Sequence, residues 1–175
     1  MIFVTRIQPS CRIVLIAAAF VVAGPAMAGV DPEHLGDFGN WSAYTHKTKS
    51  GKVCFVISEP KEKLPKRVNR DPVYFLVTNR PKEKAKNEVS IITGYPYKVD
   101  SITTARIGDK SFKLYTKGDG AWVDSTKNER SLIKAMKLGK SMTVKGTSKR
   151  GTVTTDKYSL SGVTKAIGTI DKACR

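Results

Sequence analysis

Histidine, cysteine and acid are the scarce materials of this chain: two His, three Cys and 15 Asp+Glu among 175 residues. His34 and His46 stand twelve residues apart, with no cysteine or acid at ligand spacing, so the usual zinc arrangements are missing and no metal or cofactor is expected. There is no G-x-S-x-G elbow, and the glycines at 108, 118, 120, 139 and 151 form no phosphate-loop pattern. The reading is a protein that is not an enzyme. Aromatic residues are 8% of the chain and do not interleave with its basic stretches, as stacking on nucleobases requires, so nucleic acid is not the expected partner. The apolar run Ile13–Ala23 is eleven residues long, and a membrane-spanning helix needs about 20.

That run has a different use. Arg6 and Arg12 provide a positive start, Pro25 breaks the helix, and Ala26-Met27-Ala28 places small residues where a signal peptidase reads them. Residues 1–28 are therefore expected to be a secretory signal peptide, with a membrane anchor as the alternative. Gly29, not the cysteine of a lipoprotein, follows the cleavage point. Residues 29–36 read as a short lead-in, and residues 37–175 as a single β-rich domain, since the length hardly allows two. After cleavage no integral membrane span remains.

Cleavage removes Cys11 and leaves Cys54 and Cys174, an even count in a compartment that oxidises thiols. Their pairing would tie the tail to the first part of the domain, closing a loop worth about 5 kcal/mol on the chain-entropy model. Two buried free thiols are the alternative.

Segments rich in Val, Ile, Thr, Tyr and Phe, separated by turn residues, predict strands at 37–46, 53–57, 73–78, 89–93, 102–107, 112–116, 121–123, 141–148 and 152–160. The spacing predicts a mainly β fold, an antiparallel β-sandwich or barrel-like domain with one or two short helices. Thr126-x-x-Glu129 has capping-box spacing and precedes a helix expected over 127–138, with Gly139 as its stop. Apolar residues at three- and four-residue steps predict a second helix over 162–173. Tyr95-Pro96-Tyr97 reads as an exposed aromatic pair rimming a turn.

Against 15 acids stand 31 Lys+Arg, a formal charge of +16; without residues 1–28 the chain keeps 29 basic residues and +14. Such an excess exceeds what solubility needs and points to an anionic partner, although interspersed Glu62, Glu83 and Glu88 also fit a solubilising surface. Two stretches concentrate the charge: residues 60–72 with Lys61, Lys63, Lys66, Arg67 and Arg70, and residues 79–88 with Arg80, Lys82, Lys84 and Lys86. Both read as exposed loops. If the flanking strands meander, the two emerge at opposite ends of the sheet.

A series of short motifs runs along the chain: Gly39-Asn40-Trp41, Lys52-Val53-Cys54-Phe55 with Ser58-x-Pro60, Glu88-Val89-Ser90, and Gly94-Tyr95-Pro96-Tyr97. Ala121-Trp122, Leu132-Ile133-Lys134-Ala135-Met136-x-x-Gly139, Gly146-Thr147-Ser148-x-Arg150-Gly151-Thr152, Tyr158-Ser159-Leu160-Ser161-Gly162 and Ala173-Cys174 follow. In order and spacing the chain resembles the invasion-associated locus B family of exported bacterial proteins over residues 37–174. The resemblance implies a β-rich protein of the periplasm or cell surface of a Gram-negative bacterium, in a family whose founders are linked to host-cell entry. It carries over no catalytic residue.

Three functions follow as expectations. The first is a non-enzymatic envelope protein whose basic loops engage an anionic envelope polymer or a host-surface component. The second is a virulence factor that binds a specific host protein. The third is a glycan-acting envelope enzyme using Asp119, Asp124 or Glu129.

Overall fold

The computed structural model describes residues 31–175, so the expected signal peptide at 1–28 and Cys11 lie outside the described residues. The chain forms β1 (Glu33–Phe38), β2 (Trp41–Thr48), β3 (Gly51–Ser58), β4 (Glu62–Leu64), β5 (Tyr74–Arg80) and β6 (Ala85–Ile92). It continues through β7 (Ile102–Ile107), β8 (Lys110–Lys117), β9 (Gly120–Trp122), α1 (Thr126–Leu138), β10 (Ser141–Thr147), β11 (Val153–Ser159) and α2 (Val163–Ala173). The strands make one antiparallel sheet in the order β1-β2-β3-β5-β6-β9-β8-β7-β10-β11-β4.

This is the expected mainly β class with two helices, and its strands differ from the sequence reading in several places. The strand expected at 37–46 is a hairpin, because the Gly39-Asn40 turn folds β1 back on β2 with Phe38 opposite Trp41. Glu33 to Gly36 belong to β1, so the lead-in is shorter than 29–36. Within the supposed loop 60–72, Glu62–Leu64 pairs with β11 as a sheet edge. The supposed loop 79–88 is mostly strand, with a single 3₁₀ turn at Pro81–Glu83 between β5 and β6.

The alternation that marks the strands also sets their inner face, because successive side chains point to opposite sides of a sheet. Trp41 and Ala43 of β2, Cys54 and Val56 of β3, and Phe75 and Val77 of β5 face inward, as do Val89 and Ile91 of β6 and Met142 and Val144 of β10. Phe75 meets Trp41 edge-on at 5.8 Å and Tyr158 of β11 at 5.7 Å. β11 is far from β2 and β5 in the sheet order, yet the three share one core, which requires the sheet to coil.

The first hairpin closes the coil against the end of β11. Trp41 Nε1 donates to the carbonyl of Ser159 at 3.0 Å, and the Asn40 N–H donates to that of Ser161 at 3.1 Å. A Cβ on Gly162 (φ +89°) would run into the Phe38 carbonyl oxygen, so the close approach needs glycine there. Two of the motifs noted above, Gly39-Asn40-Trp41 and Ser159-Leu160-Ser161-Gly162, are therefore the two sides of one contact.

Helix α1 starts one residue away from the sequence reading. Ser125, not Thr126, is the N-cap and accepts from the Asn128 N–H, while Glu129 reaches across to the Val89 N–H at 3.3 Å. Leu132 and Met136 of α1 and Val163, Ala166, Ile167 and Ile170 of α2 complete the core. Cys54 and Cys174 are disulfide-bonded, 120 residues apart in sequence, which pins the end of α2 to β3.

Replacing both cysteines by alanine is expected to lower stability by about 2–5 kcal/mol, read as a shifted urea midpoint. A loss below about 1 kcal/mol would mean that packing of α2 alone holds the tail.

Candidate anion-binding site

The site is organised by a residue expected to be on its surface. Arg70 leaves the loop after β4 and turns inward, where Asp156 on β11 shares the inner face with Thr154 and Tyr158. Its Nη1 and Nη2 donate to the two carboxylate oxygens of Asp156 at 2.8 and 2.7 Å, and its Nε donates to the Thr93 carbonyl at 3.1 Å. The guanidinium also lies over the Tyr95 ring, 5.1 Å from its centroid. With side chains 3% and 1% exposed, this pair is interior. Arg70 is therefore removed from the expected anion-binding set: its charge is already neutralised by a bidentate carboxylate. Burial acts to lower the Arg70 pKa, but the hydrogen bond and charge of Asp156 outweigh it, and the net shift is upward.

Three tyrosines surround the pair. Tyr95 OH is 2.6 Å from Thr154 Oγ1. Tyr97 and Tyr158 bury their hydroxyls without a hydrogen-bond partner among the described residues. Burial raises the pKa of all three above the ordinary tyrosine value. Tyr97 is a correction to the sequence reading: at 5% exposure it is a core residue and does not rim a turn.

The Arg70 anchor fixes what lies above it. The Asp71 N–H donates to the Gly94 carbonyl, and a Cβ on Gly94 (φ +68°) would collide with the Asp71 backbone, so the 65–73 loop lies directly on the Gly94-Tyr95 turn. That turn in turn holds the β10–β11 hairpin: the Lys98 N–H donates to Thr147 at 2.9 Å and the Lys149 N–H to Pro96 at 2.8 Å. Between the loop, the turn and the hairpin lies a cleft of 640 Å³. Its walls carry the cations Arg67, Lys149 and Arg150, the hydroxyls of Tyr95, Ser148, Thr152 and Thr154, and the amide of Asn69, and no carboxylate lines it. An adjoining groove shares Val68 and Asn69 with the cleft and adds Lys61, Lys63 and Lys66. Its acid, Glu62, is paired with Lys157 at 2.7 Å.

Five expected residues, Lys61, Lys63, Lys66, Arg67 and Arg70, thus belong to one region, with Arg70 as its buried support. Lys149 and Arg150 lie between the segments 141–148 and 152–160, and nothing in their local sequence shows that their hairpin faces the 60–72 segment. The inward position of Asp156 was available from period-two alternation with Thr154 and Tyr158. The other expected group is elsewhere. Tyr74 pairs with Ile92 at the cleft end of the β5–β6 hairpin, and Arg80 pairs with Ala85 at the far end, roughly 20 Å away at about 3.3 Å per residue. There Arg80 is bound by Glu83 at 2.8 Å and by Glu88, the methylenes of Lys82 cover Gly51, and Lys84 ends the 3₁₀ turn in a left-handed conformation. Arg80 is thereby corrected as a free cation, since two carboxylates neutralise it.

Two acids of the enzyme reading have local roles: Asp124 Oδ1 accepts from Asn128 Nδ2 at 2.7 Å, and Glu129 holds the Val89 N–H. Asp119 contributes its backbone carbonyl, which accepts from Thr93. Burial raises the Glu129 pKa, against the lowering effect of the Val89 N–H. Groups of His, Cys, Asp and Glu that could hold a metal are absent among the described residues, and no helix there is long and apolar enough to cross a membrane.

The family model of the invasion associated locus B (IalB) proteins matches residues 41–171, nearly the whole of this architecture. The chain belongs to the IalB family. The IalB fold also appears in the crystal structure of invasion associated protein B from Bartonella henselae, with a TM-score of 0.57 at 17% identity. That match covers 79% of this chain and 96% of the Bartonella chain. No curated protein matches this IalB chain.

Two expectations follow for the support beneath the cleft. Arg70→Met leaves Asp156 buried and unpaired and should cost about 3–5 kcal/mol in urea unfolding, whereas the double variant Arg70→Met/Asp156→Leu should recover much of that loss. Because folded tyrosines 95, 97 and 158 hold their protons more tightly than unfolded ones, their contribution is fully present below pH about 10 and is lost as pH rises through the folded values. Melting temperature should hold up to about pH 9 and fall above pH 10, less steeply in Tyr97→Phe and Tyr158→Phe. Equal slopes in these variants would refute the assignment.

Proposed function

We propose that this IalB protein is an exported, non-enzymatic protein of the cell envelope whose basic cleft binds anionic polymers of the envelope or of a host surface, in the setting of host-cell invasion. The observation that carries the reading is the cleft itself. Arg67, Lys149 and Arg150 converge on it from two separate segments, hydroxyls line its walls, and no carboxylate offsets them. Cations bring affinity and steering, and hydroxyls add directional hydrogen bonds to sugar or phosphate oxygens. The local hydrogen bonds of the Asp124 and Glu129 carboxylates support a protein without catalytic carboxylates. The family description and the name of the Bartonella protein support the invasion setting, and the sequence pattern of residues 1–28 supports export.

A second reading, a specific host protein as ligand, draws on the outer face of the sheet. There Tyr44 and Phe55 stack at 5.3 Å and, with Ile57 and Tyr74, line a groove, and aromatic residues are enriched where proteins meet.

The test is retention of the purified protein on envelope fractions and on immobilised heparin, stepped from low to high salt. Binding should fall steeply with salt, because exposed charge pairs are screened beyond about 8 Å at physiological ionic strength. The triple reversal Arg67→Glu/Lys149→Glu/Arg150→Glu should weaken it by more than about tenfold, or ~1.4 kcal/mol, with the melting temperature unchanged. Lys82→Glu/Lys84→Glu, at the far end, should have a smaller effect. Retention that survives both high salt and the triple reversal would overturn the electrostatic reading; a stable pull-down of one host protein at physiological salt would favour the second.

A further inference from the structure

The far end of the molecule carries a second basic feature of different chemistry. A groove of 570 Å³ runs between α1 and the start of β6, a size within the range of small-molecule sites. Its apolar surface comes chiefly from Leu138, 75% exposed at the last position of the helix, with the largely buried Ile133 (6% exposed) at its floor. Its charge comes from Arg130, Lys134 and Lys137 of α1 and Lys86 of β6, and no acid lines it. Positions 130, 134 and 137 follow the four- and three-residue steps that place side chains along one helix face. The nearby acids are engaged elsewhere, Glu88 by Arg80 and Glu129 by the Val89 N–H.

A hydrophilic polyanion would use the four cations and leave the apolar surface unused. A neutral apolar ligand would leave the cations unused. One ligand class satisfies both parts, a single acyl chain joined to an anionic head. The aliphatic stems of the lysines and arginine extend the apolar surface beneath their charged ends, so chain and head group can be met by the same residues.

We propose that this groove binds a single-chain anionic phospholipid as a monomer. Its acyl chain lies along Ile133, Leu138 and the lysine stems, and its phosphate is held among Lys86, Arg130, Lys134 and Lys137. Arginine supplies paired N–H donors to phosphate oxygens, and the lysines supply point charges. The site is separate from the basic cleft and does not depend on it.

The experiment is calorimetric titration of the full-length mature protein with lysophosphatidylglycerol below its critical micelle concentration. Lysophosphatidylcholine of the same chain length is the control, since it keeps the acyl chain and phosphate but is zwitterionic. Saturable one-to-one binding is expected, at least about tenfold tighter for the anionic lipid. Leu138→Asp and Lys134→Glu/Lys137→Glu alter exposed positions and should each weaken it about tenfold or more, while heparin retention at the cleft stays within about twofold for Leu138→Asp. Equal affinity for the two lipids, binding unchanged in both variants, or binding to phosphatidylglycerol vesicles without binding to the monomer would each overturn the proposal. Loss of heparin binding in the Arg67, Lys149 and Arg150 reversal with lipid binding intact would support it as a second, independent site.

Discussion

The buried pair of Arg70 and Asp156 is the constraint on which the cleft end of this molecule depends. Taking two charges out of water costs several kcal/mol for each, and only good geometry with further hydrogen bonds offsets it. Here the guanidinium uses two donors on the carboxylate and a third on the Thr93 carbonyl, and stacks on Tyr95. The pair is best understood as a registry device. A loop of charged residues and prolines between β4 and β5 has little apolar surface with which to fix itself, and one inward arginine sets its position against β11. The Asp71–Gly94 contact and the Pro96–Lys149 contact then stack turn and hairpin beside that loop in sequence.

The consequence is a division of the surface charge. The chain's excess of basic residues is not spread evenly: one group surrounds a hydroxyl-lined cleft, and another borders an apolar groove on α1, at opposite ends of the β5–β6 hairpin. Some of the charge is cancelled by carboxylates, inside the fold at Arg70 and nearer the surface at Arg80. Each loss sharpens the remainder, because the carboxylates that accept these arginines are then unavailable to offset lysines on the surface. The disulfide acts in the same direction on the other side of the core, holding α2 against β3 so that the coiled sheet keeps a filled interior.

Much of the architecture was legible before any coordinates. The strands at 53–57, 102–107, 141–148 and 152–160 and both helices lie close to where their periodicity placed them, since inward apolar residues and turn glycines are local signals. The segments that went astray were those whose structure is decided by a distant partner. Glu62–Leu64 carries no apolar alternation and becomes a strand only because β11 offers a free edge. Gly39-Asn40 reverses the chain because Ser161 and Gly162 receive it. Glu129 leaves the capping position suggested by its spacing because the Val89 N–H lies within reach.

The sequence by itself determined the β class, the inner and outer faces of most strands, the disulfide as the favoured state of two cysteines, the excess of positive charge and the resemblance to the IalB family. These depend on residue type and short-range order. Tertiary structure alone decided which basic residues share a surface. Arg67 and Arg70 are three positions apart, yet one lines the cleft and the other is buried beneath it. Arg67 and Arg150 are separated by most of the domain and face the same cleft. Charge is carried by single side chains, but a binding surface is a relation among several, and that relation exists only once strand order and loop register have been fixed by packing.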